Sequence, residues 1–457
     1  MTNVDLLAGW QVMRLGEVGH WGSGGTPKRG VSQFFGGDIP WLKSGDLNDG
    51  VVSHADESIT ADGLRSSSAK LVEPGTLLIA MYGATIGRLG VPSMRSATNQ
   101  AIAYCVPHSS IVTTDYLFEL LLHMRPELVA LGKGGAQPNI SQEVLKAIEI
   151  PIPPLDTQAT LVHLLKRVRS RTVSVTNHVG AGRQAIAKFR QGILAAACSG
   201  RLTSSWRERH PDAVAPSVDA LRQSNSKSRA ATELFASEEL SKIPETWRWV
   251  PLSSVSNSVL GKMLDKTKNR GEPRPYLRNI NVRWRGFDLS DVKEMRFEAG
   301  EEVRYGLLPG DVMVCEGGEP GRAAVWREVD SDMRFQKALH RVRCDASLLP
   351  DWLVNVLQAY ATSGRLANYF TGSGIEHLTG VSLARVPIPL PPVKEQVELV
   401  SVVERLFHLA DAIEGRVLLT HRKVDHTSQA VLAKAFRGEL IASDDEGVAR
   451  SRRVSAG

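Results

Sequence analysis

Apolar positions along this chain change period twice, in the same order each time. Runs such as Thr76-Leu77-Leu78-Ile79-Ala80-Met81 and Asp311-Val312-Met313-Val314 are short, β-rich and bounded by Gly and Pro, which predicts strands. Beyond Pro151–Pro154 and Pro389–Pro392 the period lengthens. Leu165, Val168, Thr172, Val175, Val179 and Ile186 follow steps of three and four, and so do Val403, Leu406, Ala410, Ile413, Val417 and Val424. That alternation describes a helix–helix seam. The proline runs are expected to stop the preceding strand and let a helix begin. Gly180, Gly182 and Gly192 predict a kink or break in the first helix. A continuous helix from Pro392 to Arg437 would run about 65 Å at ~1.5 Å per residue, against about 34 Å for one turn of DNA. Two such helices in one chain can pair antiparallel, with the mixed regions at opposite ends. The pair could be a plain structural coiled coil or a ruler between two contact domains.

The periods recur because the chain is duplicated. Trp10, Leu15 and Val18 return as Trp247, Leu252 and Val255, and Trp41-Leu42-Lys43 as Tyr276-Leu277-Arg278. Pro74-Gly75 returns as Pro309-Gly310. Each leads into an apolar run and a glycine-rich turn, Gly83–Arg88 or Gly317–Arg322. Asp115-Tyr116-Leu117 matches Asp351-Trp352-Leu353, and Ile150–Leu155 matches Ile388–Val393. Gln158, Gln191, Leu194, Gly200 and Leu202 match Gln396, Gln429, Leu432, Gly438 and Leu440. The order is kept and the spacing drifts by only a few residues. The predicted fold is therefore α+β: two mixed α/β domains separated by two long antiparallel helices, a pseudo-twofold tandem repeat. Expected boundaries are 1–154 and 155–202 for the first domain and helix, 203–243 for a polar linker with a short helix, 244–392 and 393–440 for the second pair, and 441–457 for a flexible tail.

Composition narrows the function classes. The 457 residues carry a formal net charge of +6, which suits an anionic partner. Cys105, Cys198, Cys315 and Cys344 form no CxxC pair, so neither a structural zinc site nor a disulfide framework is expected, and a reducing cytoplasm is the expected setting. No signal peptide or apolar run of membrane-spanning length is read. No GxxxxGK[ST] loop, strand–GxGxxG–helix unit, HxxxH or HExxH pair occurs. Asp311 and Glu316 resemble a pair of metal-binding acids only in spacing, and read better as turn and surface carboxylates.

Local motifs add an identity to this plan. Gly24-Gly25-Thr26-Pro27, Gly37-Asp38-Ile39-Pro40-Trp41, Lys43-Ser44-Gly45-Asp46, the Gly83–Arg88 turn, Asn99-Gln100 and the Pro153-Pro154-Leu155…Gln158 junction occur in order. The second half carries Gly261–Asp265, Leu277–Val282, Cys315–Arg322 and Gln336–Arg341. The ordered set, present twice over nearly the whole chain, resembles the specificity subunit of type I restriction-modification systems. The resemblance implies two target recognition domains that each read half of a bipartite double-stranded DNA site, with helices that set the spacer. It also implies docking of two methyltransferase (modification) subunits and of restriction/motor subunits. In such systems catalysis, with its S-adenosylmethionine, ATP and Mg, resides in those partners; none is expected in this chain. The rival reading is a stand-alone DNA-binding scaffold or regulator. A self-sufficient modification enzyme is disfavoured, since the chain lacks the Asn-Pro-Pro-Tyr type of tetrapeptide.

Base readout needs donors and acceptors that reach base edges, and phosphate contacts need cations, hydroxyls and backbone amides. Candidate DNA-binding residues in the first half are Thr26, Lys28, Lys43, Ser44, Tyr82, Thr85, Arg88, Asn99, Gln100, Lys133, Gln137 and Asn139. In the second half they are Lys262, Lys266, Arg278, Asn279, Asn281, Arg283, Glu319, Arg322, Lys337, Ser373, Glu376 and His377. Trp284, between two arginines, suits a stacking platform or a partly buried anchor. Gly22-Ser23-Gly24-Gly25 suits a phosphate cradle or a hairpin connection. Leu165, Val168, Val175, Val403, Leu406 and Ile413 are the expected partner-binding positions on the helices. The two halves differ at the candidate positions, which predicts two different half-sites.

Overall fold

Four helices organise the chain in the computed structural model: α1 (Thr114–His123), α2 (Leu155–Cys198), α3 (Pro350–Thr362) and α4 (Val393–Phe436). The structure describes residues 9–132, 139–217, 220–221, 240–265, 267–329, 331–372 and 374–440. Both long helices have 44 residues, about 66 Å each at ~1.5 Å per residue. The expected break in the first is corrected: α2 is assigned as one helix through Gly180, Gly182 and Gly192. Each of these glycines has open space where a Cβ would sit, so no packing asked for a side chain there. Among the described residues no helix is long and apolar enough to cross a membrane.

The chain divides inside the long helices and not at their ends. One unit comprises Met1–Val179 with Leu418–Gly457, the other Gly180–Val417. Each unit is a mixed domain plus the near half of one long helix and the far half of the other.

In the first unit, a mixed sheet is built on Ile102–Pro107, flanked antiparallel by Gly19–Ser23 and Leu77–Ala80, the latter followed by Leu89–Pro92 and then, in parallel, Gly50–Val52. A second sheet pairs Phe35–Leu42 in parallel with Ser96–Thr98. The core joins both faces of α1 to the helices, with Leu117, Leu161, Leu165 and Phe436 all buried. Within this unit the helix halves run antiparallel, and the Thr172 and Ser428 hydroxyls meet at 2.8 Å.

The second unit repeats this. Leu339–Cys344 lies between Ser256–Leu260 and Val312–Cys315, which continues to Ala323–Val325. Glu272–Leu277 pairs in parallel with Arg334–Phe335. Leu194, Ala197, Leu399 and Val403 bury against α3. Arg190 of α2 contacts Asp411 at 2.5 Å and Glu414 at 2.9 Å on α4.

The proline runs do end the strand before each helix, at Ile152 ahead of Pro153-Pro154 and at Leu390 ahead of Pro391-Pro392, but their first prolines lie inside it. Glu149–Ile152 pairs with Gln11–Arg14, placing Pro151 opposite Val12; Pro387–Leu390 pairs with Arg248–Pro251, placing Pro389 opposite Trp249. Both ladders have only two strands, so each proline's missing N–H faces an edge where nothing asks for it.

One buried polar clamp ties helix to domain in each unit. Gln158 accepts from Thr113 N–H and donates to the carbonyls of Ile111 and Pro153, each at 2.9 Å. Gln396 accepts from Leu349 N–H at 2.8 Å and donates to Ser347 and Pro391 carbonyls at 2.8 and 2.9 Å. Neither glutamine is exposed to solvent. Tyr116 Oη donates to the Pro151 carbonyl at 2.8 Å, and Trp352 Nε1 makes the matching bond to Pro389 at 2.9 Å.

Candidate nucleic-acid interface

In each unit the candidate residues gather where the two parallel strands end. In the first unit Lys43 and Ser44 follow Leu42, and Asn99 and Gln100 follow Thr98. The Asn99 N–H donates to the Leu42 carbonyl at 2.9 Å, which joins the two segments. The Thr26 hydroxyl donates to Gln100 Oε1. Met81 N–H to Ala101 O (2.8 Å) and Ile140 N–H to Met81 O (2.9 Å) bring in the Gly83–Arg88 turn and Asn139, which bridges to Tyr82. Lys28, Tyr82, Arg88, Gln100 and Asn139 are exposed.

The second unit has the same frame. Arg278 and Asn279 follow Leu277, Gln336 and Lys337 follow Phe335, and Gln336 N–H donates to Leu277 O at 3.2 Å. Glu316 N–H donates to Ala338 O at 2.9 Å, and Leu378 N–H to Glu316 O at 2.7 Å. These bonds seat the Gly317–Arg322 turn beside the bridge between Thr371 and His377. Arg283, Glu319, Lys337, Glu376 and His377 are exposed.

Several candidates have occupations within the fold. Lys43 is held by Glu57 at 2.8 Å, and that hydrogen bond raises its pKa; Arg29 shares Glu57 at 2.5 Å while lying over Phe35 and Trp41. Asn99 Oδ1 accepts from Ala101 N–H at 3.1 Å. Arg278 pairs with Asp291 at 2.7 Å, and Arg322 bonds Glu319 at 2.6 Å and the Asn279 carbonyl at 2.9 Å.

Two candidates are better read as builders of the site than as readers. Asn281 is buried. Its Oδ1 accepts from Arg278 N–H, and its Nδ2 donates to the carbonyls of Asp288 and Asp291, so its donors are spent on one turn. Lys262 is 7% exposed, with its ammonium on Glu298 and Glu301. Turning Asn281 toward DNA would leave the Asp288 and Asp291 carbonyls without their donor, and turning Lys262 outward would break both of its ion pairs. The phosphate-cradle reading of Gly24 and Gly25 also fails. Their N–H groups donate to Ile102 O (3.3 Å) and Thr98 O (2.9 Å), and a Cβ on either would strike backbone. Lys133, Gln137, Lys266 and Ser373 lie outside the described residues, as do 222–239 of the expected linker and the tail from 441. The start of that linker is docked: helix Ser204–Arg209 places Arg207 on buried Glu395 at 2.5 Å.

The helix positions sort by burial. Leu165 and Val403 are fully buried in the cores of their own units, so the expectation that they bind a partner is corrected. The stripe they belong to is taken up by the attached domain. Val168, Val175 and Leu406 are half-buried, and Ile413 is 44% exposed. Val173, Phe189, Val397, Leu409 and Leu419, which the periodicity did not single out, are exposed as well.

Trp284 takes the partly buried place that was one of its two readings, while the inward turn of Arg285 and the bond to Glu319 were not read from the sequence. Trp284 and Arg285 form the two-residue tip of a hairpin, Val282–Arg283 with Gly286–Phe287. Arg285 adopts φ 65° and turns inward, over the Phe407 ring at 4.1 Å, with Nε donating to Gln358 at 2.8 Å; burial pushes its pKa down to about 10. Trp284 is half-buried against the core and donates Nε1 to Glu319 at 2.9 Å. The flanking arginines were the available signal, but their spacing does not say which turns inward. Among the described residues no group of three or more His, Cys, Asp and Glu is placed to hold a metal ion.

Comparison with known proteins shows what the chain is similar to. A family model, the type I restriction modification DNA specificity domain, matches residues 8–180. The chain is 23% identical over 416 residues to the EcoKI specificity subunit of Escherichia coli K12, covering 88% of this chain and 83% of that one. It is 24% identical over 419 residues to the StySPI specificity subunit of Salmonella potsdam, with the same coverage. The HsdS subunit from Thermoanaerobacter tengcongensis shares the fold at TM-score 0.55 and 18% identity, over 95% of this chain and 98% of that one. A chain from a structure of complex assembly and conformational transition of the type I R-M system reaches TM-score 0.68 at 18% identity, over 95% and 99%. The family model covers the first domain and these relatives span both halves, so the chain is similar over most of its length to type I restriction-modification specificity subunits.

Proposed function

We propose that this chain is the DNA sequence-recognition subunit of a type I restriction-modification complex, with each unit reading one half of a split double-stranded site. The observation that carries this is the repeated frame with unlike tips. Both units gather loops at the end of one parallel strand pair, and the side chains offered there differ. A donor-rich edge built on rigid strands suits base readout, with exposed Lys and Arg positioning phosphates.

The remaining parts of the reading follow the family. Two methyltransferase subunits dock on the long helices, through exposed positions such as Ile413, Leu409 and Val173 and not through Leu165 or Val403. Restriction/motor subunits join in the cytoplasm. S-adenosylmethionine, ATP and Mg serve those partners, and this chain contributes specificity without catalysis. A 44-residue helix, about two turns of DNA in length, supports a spacer-setting role.

Genome-wide adenine methylation in the source cell, with and without this gene, tests the proposal. Loss of one split motif with a fixed spacer is the expected result. An unchanged pattern would favour the stand-alone DNA-binding scaffold, and DNA binding by the full chain would then decide.

A further inference from the structure

The hydrogen bonds of the two glycine turns align their closing ends, although the first turn is one residue longer. In the first unit, Ala80 N–H donates to Arg88 O, Gly87 N–H to Ala80 O, and Arg88 N–H to Thr85 O, each at 2.9 Å. In the second, Cys315 N–H donates to Arg322 O (2.9 Å), Gly321 N–H to Cys315 O (2.8 Å) and Arg322 N–H to Glu319 O (3.1 Å). Thr85 and Glu319 therefore hold the same place on the same turn. Gly87 and Gly321 both sit at positive φ, 74° and 87°, so the tip conformation is preserved.

The chemistry at that place is not preserved. The Thr85 hydroxyl is turned back onto the Tyr82 carbonyl at 2.9 Å. Glu319 keeps 52% of its side-chain surface exposed yet is held at both oxygens: Oε1 accepts from Trp284 Nε1 at 2.9 Å, Oε2 from Arg322 Nη1 at 2.6 Å. Arg322 is steadied in turn by the Asn279 carbonyl, and the Trp284 hairpin is anchored inward through Arg285. A carboxylate oxygen has two lone-pair directions, so each keeps one for an outside donor.

An exposed carboxylate on an edge lined by Arg283, Lys337 and Arg278 is repelled by phosphate and can only accept hydrogen bonds. In the major groove of B-DNA the donors are the exocyclic amino groups, N4 of cytosine and N6 of adenine. The minor groove offers only the guanine amino group within a narrow, strongly negative channel. Arg322 offsets the charge of Glu319 and so lowers the cost of bringing it between two phosphate chains. We infer that Glu319, oriented by Trp284 and Arg322, reads one base of one half-site by accepting a hydrogen bond from an exocyclic amino group in the major groove. The inference rests on the recognition function proposed above.

The test places Glu319→Gln and Glu319→Ala in the chromosomal gene and maps adenine methylation in the source cell. If the unsubstituted gene writes no split motif, the proposed function fails and takes this inference with it. If it does, Glu319→Ala should relax one position of one half-site, lowering discrimination there by roughly tenfold or more and leaving every other position unchanged. Glu319→Gln separates the two sources. Glutamine bonds adenine N6 and N7, so a cytosine position shifts to adenine, whereas an adenine position stays. An unchanged motif in both variants overturns the inference, as does relaxation spread over several positions. Loss of all methylation overturns it too: with an altered unfolding temperature of the purified full chain Glu319 is a brace for Trp284, and with an unaltered one its role exceeds a single base.

Discussion

Gln158 and Gln396 make the same three hydrogen bonds in the two units, while Thr85 and Glu319, at one place on one turn, offer opposite chemistry. The difference follows from what each environment charges for change. A buried glutamine that satisfies one N–H and two carbonyls cannot be replaced without leaving backbone groups unpaired. A turn tip in solvent carries no such penalty, so its side chain was free to diverge. Between these extremes lie positions where the two units solve one problem differently. Tyr116 and Trp352 reach the same strand carbonyl with different donors. Where the first unit buries Thr76, the second buries Asp311 and pairs it with Arg343 at 2.7 Å.

The largest effect should come from breaking what the units share. Gln396→Leu leaves Leu349 N–H and two carbonyls unpaired, and is expected to cost about 3–5 kcal/mol. Gln158→Leu should cost the same within about 1 kcal/mol, since its partners match. Urea unfolding of each variant checks this, and a large cost in only one unit would break the equivalence. Next comes Asp311→Thr, which gives the second unit the residue of the first. Asp311 also accepts from Leu308 N–H at 2.8 Å, so a loss of about 2–3 kcal/mol is expected. Arg343 is partly exposed and can return to water, which holds the figure below that of a fully buried pair. A variant as stable as the parent would show that the pair is incidental.

Arg285→Ala should cost less, about 1–2 kcal/mol, by leaving Asn355 and Phe407 without their cover. The first unit should be untouched, which proteolysis of each unit can read. The smallest effect concerns acid. Burial lowers the pKa of His123 in the first unit and His340 in the second below the ordinary value of 6.5. Their contribution to stability is full above 6.5 and is lost as the pH falls through their lower folded values, because the unfolded chain takes up the protons first. Glu119 in the first unit is pushed the other way by burial: its contribution is full below the ordinary 4.5 and is lost as the pH rises through its higher folded value. His340→Gln should therefore flatten the fall in urea midpoint between about pH 7 and pH 5.5. A slope unchanged by this substitution would assign the acid sensitivity elsewhere.

Much of the architecture was legible before any coordinates. The duplication exposed the tandem plan, and the change of apolar period separated sheets from helices. What periodicity could not report was which neighbour claims each apolar stripe. Leu165 and Ile413 stand on equivalent-looking spacings, yet one is buried under its own domain and the other is open. Nor could residue type alone divide readers from builders. Asn281 and Asn279 sit two positions apart; the first spends its amide donors on a turn, and the second sends its amide to Gly317 O at 2.8 Å. The proline runs end each strand as expected, but Pro151 and Pro389 sit inside the two-stranded ladders because an edge makes no demand on the missing N–H.

By itself the sequence determined the repeated order of strands and long helices, because period and punctuation are local and survive duplication. It also determined that the two units present different side chains, since that difference is written at aligned positions. Tertiary structure decided the rest. It brought Asn99 beside Lys43 and Gln336 beside Arg278, closed Trp284 onto Glu319, and turned Arg285 inward. These pairings join segments distant in the chain, and their cost or benefit comes from burial and hydrogen-bond geometry that exist only once the strands are laid side by side.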